Sequence, residues 1–422
     1  MIPAQIADVG LFASMERYGD LTIHAVLDLR RCFARGDLER AMEAVIRAFP
    51  VLGSRYAPGF WRDYWLPVDL PVSESVHMVD EPGDLEGDTA AWVRRALRLT
   101  EERPLRLVSL ARGQGSRLLL SVSHVAVDGA GMAAVGHVLA AELYGSVPSA
   151  PVDARRTLTS ALDGLRWYHL PVLARDVILS SLLPVRIFFA AVRELHFTAG
   201  PTGEASWRHV TIGALELERL KALCRTVDAT VNDALLAALA RISVGRSRRG
   251  RLAVIYTMDL RRYAGAPRLT AANTSSVMSV IVPRAAVSEP AVTLRAVARL
   301  TARQRRSLAG PAFFVMPTVL GLAAPHSWVR RVVRWAHPLF IEPSLRRGLV
   351  FTNVGRLDEG LSAFGADLER VSIVGPNVAG VNAPVVVAFG YRGELHLQLF
   401  AAPGLAEAAL DELETELRAG LA

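Results

Sequence analysis

Thr22 to Leu29 alternates apolar and polar side chains and reads as a strand. Leu38, Ala41, Met42, Val45, Ile46 and Phe49 then recur at helical spacing behind Asp37, a residue able to cap that helix. The run Leu118-Leu119-Leu120-Ser121-Val122-Ser123 predicts a buried strand, and Ala130 to Tyr144 predicts a helix after it. The alternation restarts in the second half. Trp207 to Ile212 reads as a strand, Glu216 to Cys224 as a helix, and a further helix starts at Thr230, with Asp233 at the third position. Strands are predicted at Arg251 to Met258, Ser275 to Val282 and Gly348 to Phe351. A hairpin is predicted from Ala383 to Phe389 and Glu394 to Phe400 through Tyr391-Arg392-Gly393. Pro151 to Gly203, punctuated by Pro and Gly at both ends, separates the two series. The pattern therefore predicts an α/β protein with an N-terminal unit over 1–150, a linker over 151–205 and a C-terminal unit over 206–422.

With 422 residues and 51% hydrophobic content, the chain can bury two sizeable cores, and disorder is excluded. The net charge of +7 says less about partners than it suggests. Lys221 is the single lysine among 48 basic residues, a skew typical of coding bias, and no nucleic-acid-binding module accompanies it. Cys32 and Cys224 supply neither a disulfide framework nor a metal spacing. The N-terminus lacks a charged segment followed by an apolar one, so a cytoplasmic location is expected. Two apolar stretches bear on membranes. Leu170 to Val192 is interrupted by Arg175, Asp176, Pro184 and Arg186, and Ser307 to Val329 contains Pro311, Pro317 and Pro325, so broken helices are expected rather than spans. Arg330, Arg331 and Arg334 follow the second stretch directly, an apolar-then-basic order suited to peripheral contact with an anionic bilayer.

The chemistry concentrates at His124-Val125-Ala126-Val127-Asp128-Gly129, an H-x-x-x-D-G segment between the buried strand and the following helix. A histidine ending such a strand places an imidazole at the mouth of a cleft, where it can act as a general base. A structural, hydrogen-bonded histidine is the alternative reading. No G-x-S-x-G nucleophile elbow occurs, and no third ligand with suitable spacing joins His124 and Asp128 in a metal site.

The approach to His124, from Arg103-Pro104-Leu105-Arg106-Leu107-Val108-Ser109-Leu110 through the Gly113/Gly115 turn, resembles that of the CoA-dependent acyltransferase superfamily. That superfamily includes chloramphenicol acetyltransferase, peptide-synthetase condensation domains, wax ester synthases and polyketide-associated acyltransferases. Further likenesses follow in family order. They are Asp37 to Pro50 with Val51-Leu52, Ala229 to Leu239, Met258-Asp259-Leu260-Arg261, and Thr352-Asn353-Val354-Gly355. Ser123 stands where many relatives carry a second histidine, and the D-F-G-W-G motif of the plant branch is missing.

The resemblance implies two chloramphenicol acetyltransferase-like subdomains with mixed sheets and an active-site tunnel between them. It implies an acyltransferase of lipid or secondary metabolite biosynthesis that moves an acyl group from a CoA or carrier-protein thioester to a hydroxyl or amine, with His124 as base. In the family the aspartate corresponding to Asp128 is structural and pairs with an arginine. Arg261 is the candidate, with Arg30 or Arg31 as alternatives. Gly129 is expected to serve a tight turn. Thr352 is a candidate donor to the oxyanion and Asn353 a candidate holder of the crossover loop, against the reading of an ordinary strand-ending turn. Arg248 and Arg249, in the basic cluster with Arg246 and Arg251, are candidate contacts for donor phosphates or an acidic carrier protein, against the reading of a solvated loop. No cofactor beyond the thioester co-substrate is expected. The rival reading is a non-catalytic condensation-like domain that binds a carrier protein or scaffolds an assembly.

Overall fold

The computed structural model describes residues 1–181, 206–246, 251–287, 289–342, 348–375, 385–401 and 407–421. Two mixed sheets dominate. The first has the order β12-β2-β7-β6-β5, built from β2 (Thr22–Leu29), β5 (Val76–Val79), β6 (Leu105–Arg112), β7 (Gly115–Ser123) and β12 (Leu368–Val374). Only β5 and β6 pair in parallel. The second has the order β10-β9-β11-β13-β14-β8, from β8 (Ser206–Ile212), β9 (Arg251–Asp259), β10 (Ser275–Pro283), β11 (Gly348–Arg356), β13 (Val385–Tyr391) and β14 (Glu394–Ala401). Here β11 runs parallel to both of its neighbours. A small sheet joins β1 (Ile2–Pro3), β4 (Tyr64–Pro67) and β3 (Ser54–Ala57).

The apolar run ending at Ser123 is buried along the whole of β7, which is paired on both edges by β2 and β6. Helices α1 (Ile6–Tyr18), α2 (Arg35–Ala48), α3 (Leu85–Arg94) and α4 (Gly129–Leu143) belong to this half. Asp37 departs from expectation. Ala34 occupies the N-cap and Asp37 the third helical position, from which its carboxylate accepts the Ala34 N–H at 3.3 Å. The helix begins two residues before Asp37 because this back-reaching bond satisfies a free amide of the first turn.

In the linker, α5 (Leu170–Ser181) is the main helix, and the remainder of the predicted 170–192 stretch lies outside the described residues. The second half adds α6 (Ala214–Thr226), α7 (Val231–Arg246), α8 (Pro290–Arg306), α9 (Ala309–Ala323), α10 (His326–Ala336) and α11 (Glu407–Leu421). Thr230 and Asp233 form the expected reciprocal cap of α7. The Asp233 carboxylate accepts the Thr230 N–H at 2.8 Å, and Thr230 Oγ1 accepts the Asp233 N–H at 3.2 Å. The stretch 307–329 is broken as its prolines require, Pro325 preceding α10, although Pro317 is accommodated within α9. Among the described residues no single helix is long and apolar enough to cross a membrane. Cys32 and Cys224 are free thiols, the first exposed and the second buried.

One strand breaks the correspondence between chain order and sheet. Leu368–Val374 follows β11 in sequence yet pairs antiparallel with β2, so the second half completes the edge of the first sheet.

Candidate functional site

His124 leaves β7 at the junction of the two halves, partly exposed, while Val125, Ala126 and Val127 behind it are fully buried. The backbone is pinned on both sides. The His124 N–H donates to the Leu21 carbonyl at 2.8 Å, and the Asp128 N–H donates to the Ala272 carbonyl at 3.2 Å. The ring is therefore presented by a fixed turn anchored to both halves.

Its Nδ1 lies 3.2 Å from Oδ1 of Asn273. The Asn273 amide can point only one way, because its Nδ2 donates to the Val125 carbonyl at 2.9 Å and reaches Oδ1 of Asp8 at 3.5 Å. With oxygen facing the ring, the contact requires N–H on Nδ1, which leaves the Nε2 lone pair for a proton. Among the described residues Nε2 has no hydrogen-bond partner. Asp8 is held in turn. It is fully buried and takes a bidentate pair of bonds from Arg156 at 2.7 and 3.1 Å, another from Trp65 Nε1 at 3.0 Å and the Gln5 N–H at 3.0 Å. Arg156 also donates to the Ala126 and Ala271 carbonyls, so its guanidinium ties the linker to both sides of the histidine loop.

Asp128 does not touch His124. It caps α4 through the Gly131 N–H at 2.8 Å and receives a bidentate pair from Arg261 at 3.0 and 3.1 Å. The Thr274 N–H and Ser275 Oγ complete its shell at 2.9 and 2.8 Å. Burial alone would push its carboxyl up, but Arg261 and the two amides outweigh that and hold it below the ordinary carboxylate range. Arg261 is the partner; Arg30 pairs with Glu369, and Arg31 stacks over Phe33 and Tyr144.

Gly129 is the first helical residue of α4 and does not adopt a positive φ, so no tight turn demands it. A Cβ there would sit 3.3 Å from Val354 Cγ2, and the constraint comes from the other half. Val354 reaches across because β11 is bulged between Asn353 and Gly355 against β13, with Gly355 at φ +93°. Gly131 is tighter still, its Cβ position being 3.0 Å from Val127 Cβ and 3.3 Å from the Ala272 carbonyl oxygen. Next to these glycines an apolar pocket opens between α4 and the bulge, bordered by Gly129, Met132, Ala133, Val354, Leu357 and Leu361.

Thr352 Oγ1 shares a 2.7 Å hydrogen bond with Thr257 Oγ1. One hydroxyl of such a pair donates to the other, so the accepting one keeps a proton to offer elsewhere. Asn353 turns back on its own strand end, where Oδ1 accepts the Gly355 N–H at 2.8 Å, and Nδ2 reaches Asn232 Oδ1 at 3.3 Å. None of these bonds joins either residue to His124. Arg248 and Arg249 lie outside the described residues. A different arginine-lined cleft, about 390 Å³, borders the Asp128–Arg261 pair, with Arg155, Arg262 and Arg268 in its wall. Arg155 and Arg268 are already engaged by Asp153 and Asp163. Among the described residues no three His, Cys, Asp or Glu side chains gather as a metal site.

Sequence reasoning missed Asp8, Arg156 and Asn273. The available signal was the polar run Asn273-Thr274-Ser275-Ser276 at the head of an apolar strand, where solvent-facing alternation would not place four polar residues in a row.

No protein-family model matches the chain, and no curated protein does. Solved structures do. Trichothecene 15-O-acetyltransferase TRI3 from Fusarium sporotrichioides superposes with a TM-score of 0.71 at 12% identity, over 100% of this chain and 94% of that one. The first condensation domain of the CDA synthetase gives 0.66 at 16%, over 100% and 95%. Polyketide synthase associated protein 5 from Mycobacterium tuberculosis gives 0.64 at 15%, over 100% and 98%. At such identities the likeness is one of architecture, and it spans the whole chain. The two α/β halves have the fold of these solved structures, an acetyltransferase and a condensation domain among them.

Proposed function

We propose that the chain is an acyltransferase that moves an acyl group from a CoA or carrier-protein thioester to a hydroxyl or amine, with His124 as general base. The observation that carries this is the orientation of the His124 ring. Nδ1–H is committed to Asn273, and Nε2 is left with an unshared pair at the junction of the halves.

In the reaction, Nε2 accepts the proton of the acceptor's O–H or N–H as that atom attacks the thioester carbonyl. The resulting tetrahedral oxyanion collapses with cleavage of the C–S bond, and the imidazolium returns its proton to the departing thiolate. Thr352 is assigned as a donor to the oxyanion, the role it can fill when Thr257 donates to its Oγ1 and leaves its own proton free. Asp128 and Arg261 keep the loop in place without touching the reacting atoms. The thioester is already activated, so base catalysis and the alignment of two bound substrates suffice, and no cofactor is required. The proposed acyl group or acceptor is apolar rather than a sugar phosphate, in line with the apolar wall that Met132, Ala133 and Val354 present beside the start of α4. An acyl carrier protein is the proposed partner where the donor is not free CoA.

The test is thiol release by the purified protein from acetyl-CoA, a fatty acyl-CoA and an acyl carrier protein, with long-chain alcohols, amines and polar acceptors. Ester or amide product is identified by mass, with and without excess chelator. Turnover is expected in chelator, and His124→Ala should lower it by about 100- to 10,000-fold while leaving the circular dichroism unchanged. Binding of carrier protein with no thiol release from any donor would replace this reading with the scaffold.

A further inference from the structure

Helix α10 carries apolar side chains on its outer face. His326 and Val329 face inward, His326 Nδ1 accepting the Asp63 N–H at 2.9 Å. Arg330 and Arg334 are engaged by Asp63 and Glu16. Trp328, Val332 and Trp335, spaced by four and three residues, are left exposed on the opposite face. The patch continues beyond the helix. The Ser327 and His326 N–H groups donate to the Phe60 and Trp61 carbonyls at 3.0 Å each, which sets those two exposed rings beside the start of α10. Arg62 donates to the carbonyls of Gly321, Leu322 and Ala324, bringing in Leu322, which is 70% exposed.

From this surface we infer that the protein docks on an anionic bilayer, with Phe60, Trp61, Leu322, Trp328, Val332 and Trp335 seated at headgroup depth. Charge decides the occupant. Arg331 borders the apolar face, exposed and, among the described residues, without a carboxylate partner, and Arg62, held on backbone carbonyls, adds its positive charge beside it. Tryptophans flanked by arginines suit a membrane interface, where the rings sit among glycerol esters and the guanidinium groups meet lipid phosphates. An acidic protein would instead have to strip water from its carboxylates against Trp61 and Trp328. The face is also rigid before contact, since Asp63 binds Tyr56 Oη at 2.5 Å and the Gly59 N–H at 3.0 Å besides its bonds to α10. Little ordering is left to oppose insertion.

The experiment uses the full chain and vesicles of phosphatidylcholine with 30% phosphatidylglycerol, or of phosphatidylcholine alone, in a sedimentation assay with tryptophan emission recorded in parallel. Wild-type protein is expected to pellet with the anionic vesicles, to shift its emission to the blue, and to be released by high salt. Trp328→Ser/Val332→Glu and, separately, Arg331→Glu should each weaken binding by about tenfold or more with unchanged circular dichroism. Sedimentation no greater than without vesicles would overturn the inference, as would equal binding by the variants. It would equally be overturned if the double variant lost self-association or carrier-protein binding instead. The assay needs no turnover, so it stands or falls separately from acyl transfer.

Discussion

Asn273 is the residue on which the ring orientation turns. Without its Oδ1, the His124 Nδ1–H loses its acceptor and the imidazole is free to rotate or to exchange tautomers. Asn273→Ala is expected to lower kcat by about 10- to 100-fold with little change in KM, because the side chain orients the base without holding substrate. Equal losses in kcat and stability would mark Asn273 as a packing residue only. Asp128 makes a different prediction. Arg261 and the Gly131 and Thr274 amides lower its carboxyl pKa in the folded state against the effect of burial, so ionised Asp128 adds stability above the ordinary carboxylate pKa. That stability is lost as the pH falls through the depressed folded value. Asp128→Asn replaces the bidentate partner of the buried Arg261 by a neutral amide and leaves it Asp259, 3.1 Å away, as its remaining carboxylate, so the variant should cost about 2 kcal/mol near neutrality, read as a lower Tm. The gap in Tm between wild type and variant should hold down to about pH 4, the ordinary carboxylate value, and close only as the pH falls on through the lower folded one. An unchanged Tm with lost activity would place Asp128 in the chemistry itself.

At the scale of elements, legibility in the sequence follows how local the cause is. Thr22–Leu29, β7 and the α7 cap depend on alternation, on a short apolar run and on a bond spanning three residues, and all three are where the pattern puts them. The Arg392-Gly393 hairpin turn is equally local, both residues having positive φ. The start of α2 was misplaced by the same local physics, since an aspartate serves nearly as well at the third helical position as at the cap. The reason for Gly129 was misread because its crowding neighbour, Val354, is far away in sequence and reaches it only through a bulge in β11. Asp8 shows the limit most sharply. It reads as an ordinary first-turn carboxylate of α1, and nothing near it in sequence announces Arg156, Trp65 or Asn273.

At the scale of the whole molecule, the site belongs to neither half. His124 and Asp128 come from the first, while Asn273, Arg261, Thr274 and Ser275, which hold them, come from the second, and Arg156 comes from the segment between. The dependence is also structural, because β12 from the second half covers the β2 edge from His24 to Leu29. A fragment of residues 1–205 would therefore carry H-x-x-x-D-G intact and still expose an apolar strand edge, with Asp128 stripped of Arg261, Thr274 and Ser275 and the histidine loop left without those anchors. That fragment is expected to aggregate when expressed alone. Co-expression with residues 206–422 should return a soluble complex that releases thiol from an acyl thioester. A soluble, monomeric 1–205 fragment with a cooperative unfolding transition would show that β12 and Arg261 are dispensable to the first half, and that the two halves meet only to form the site.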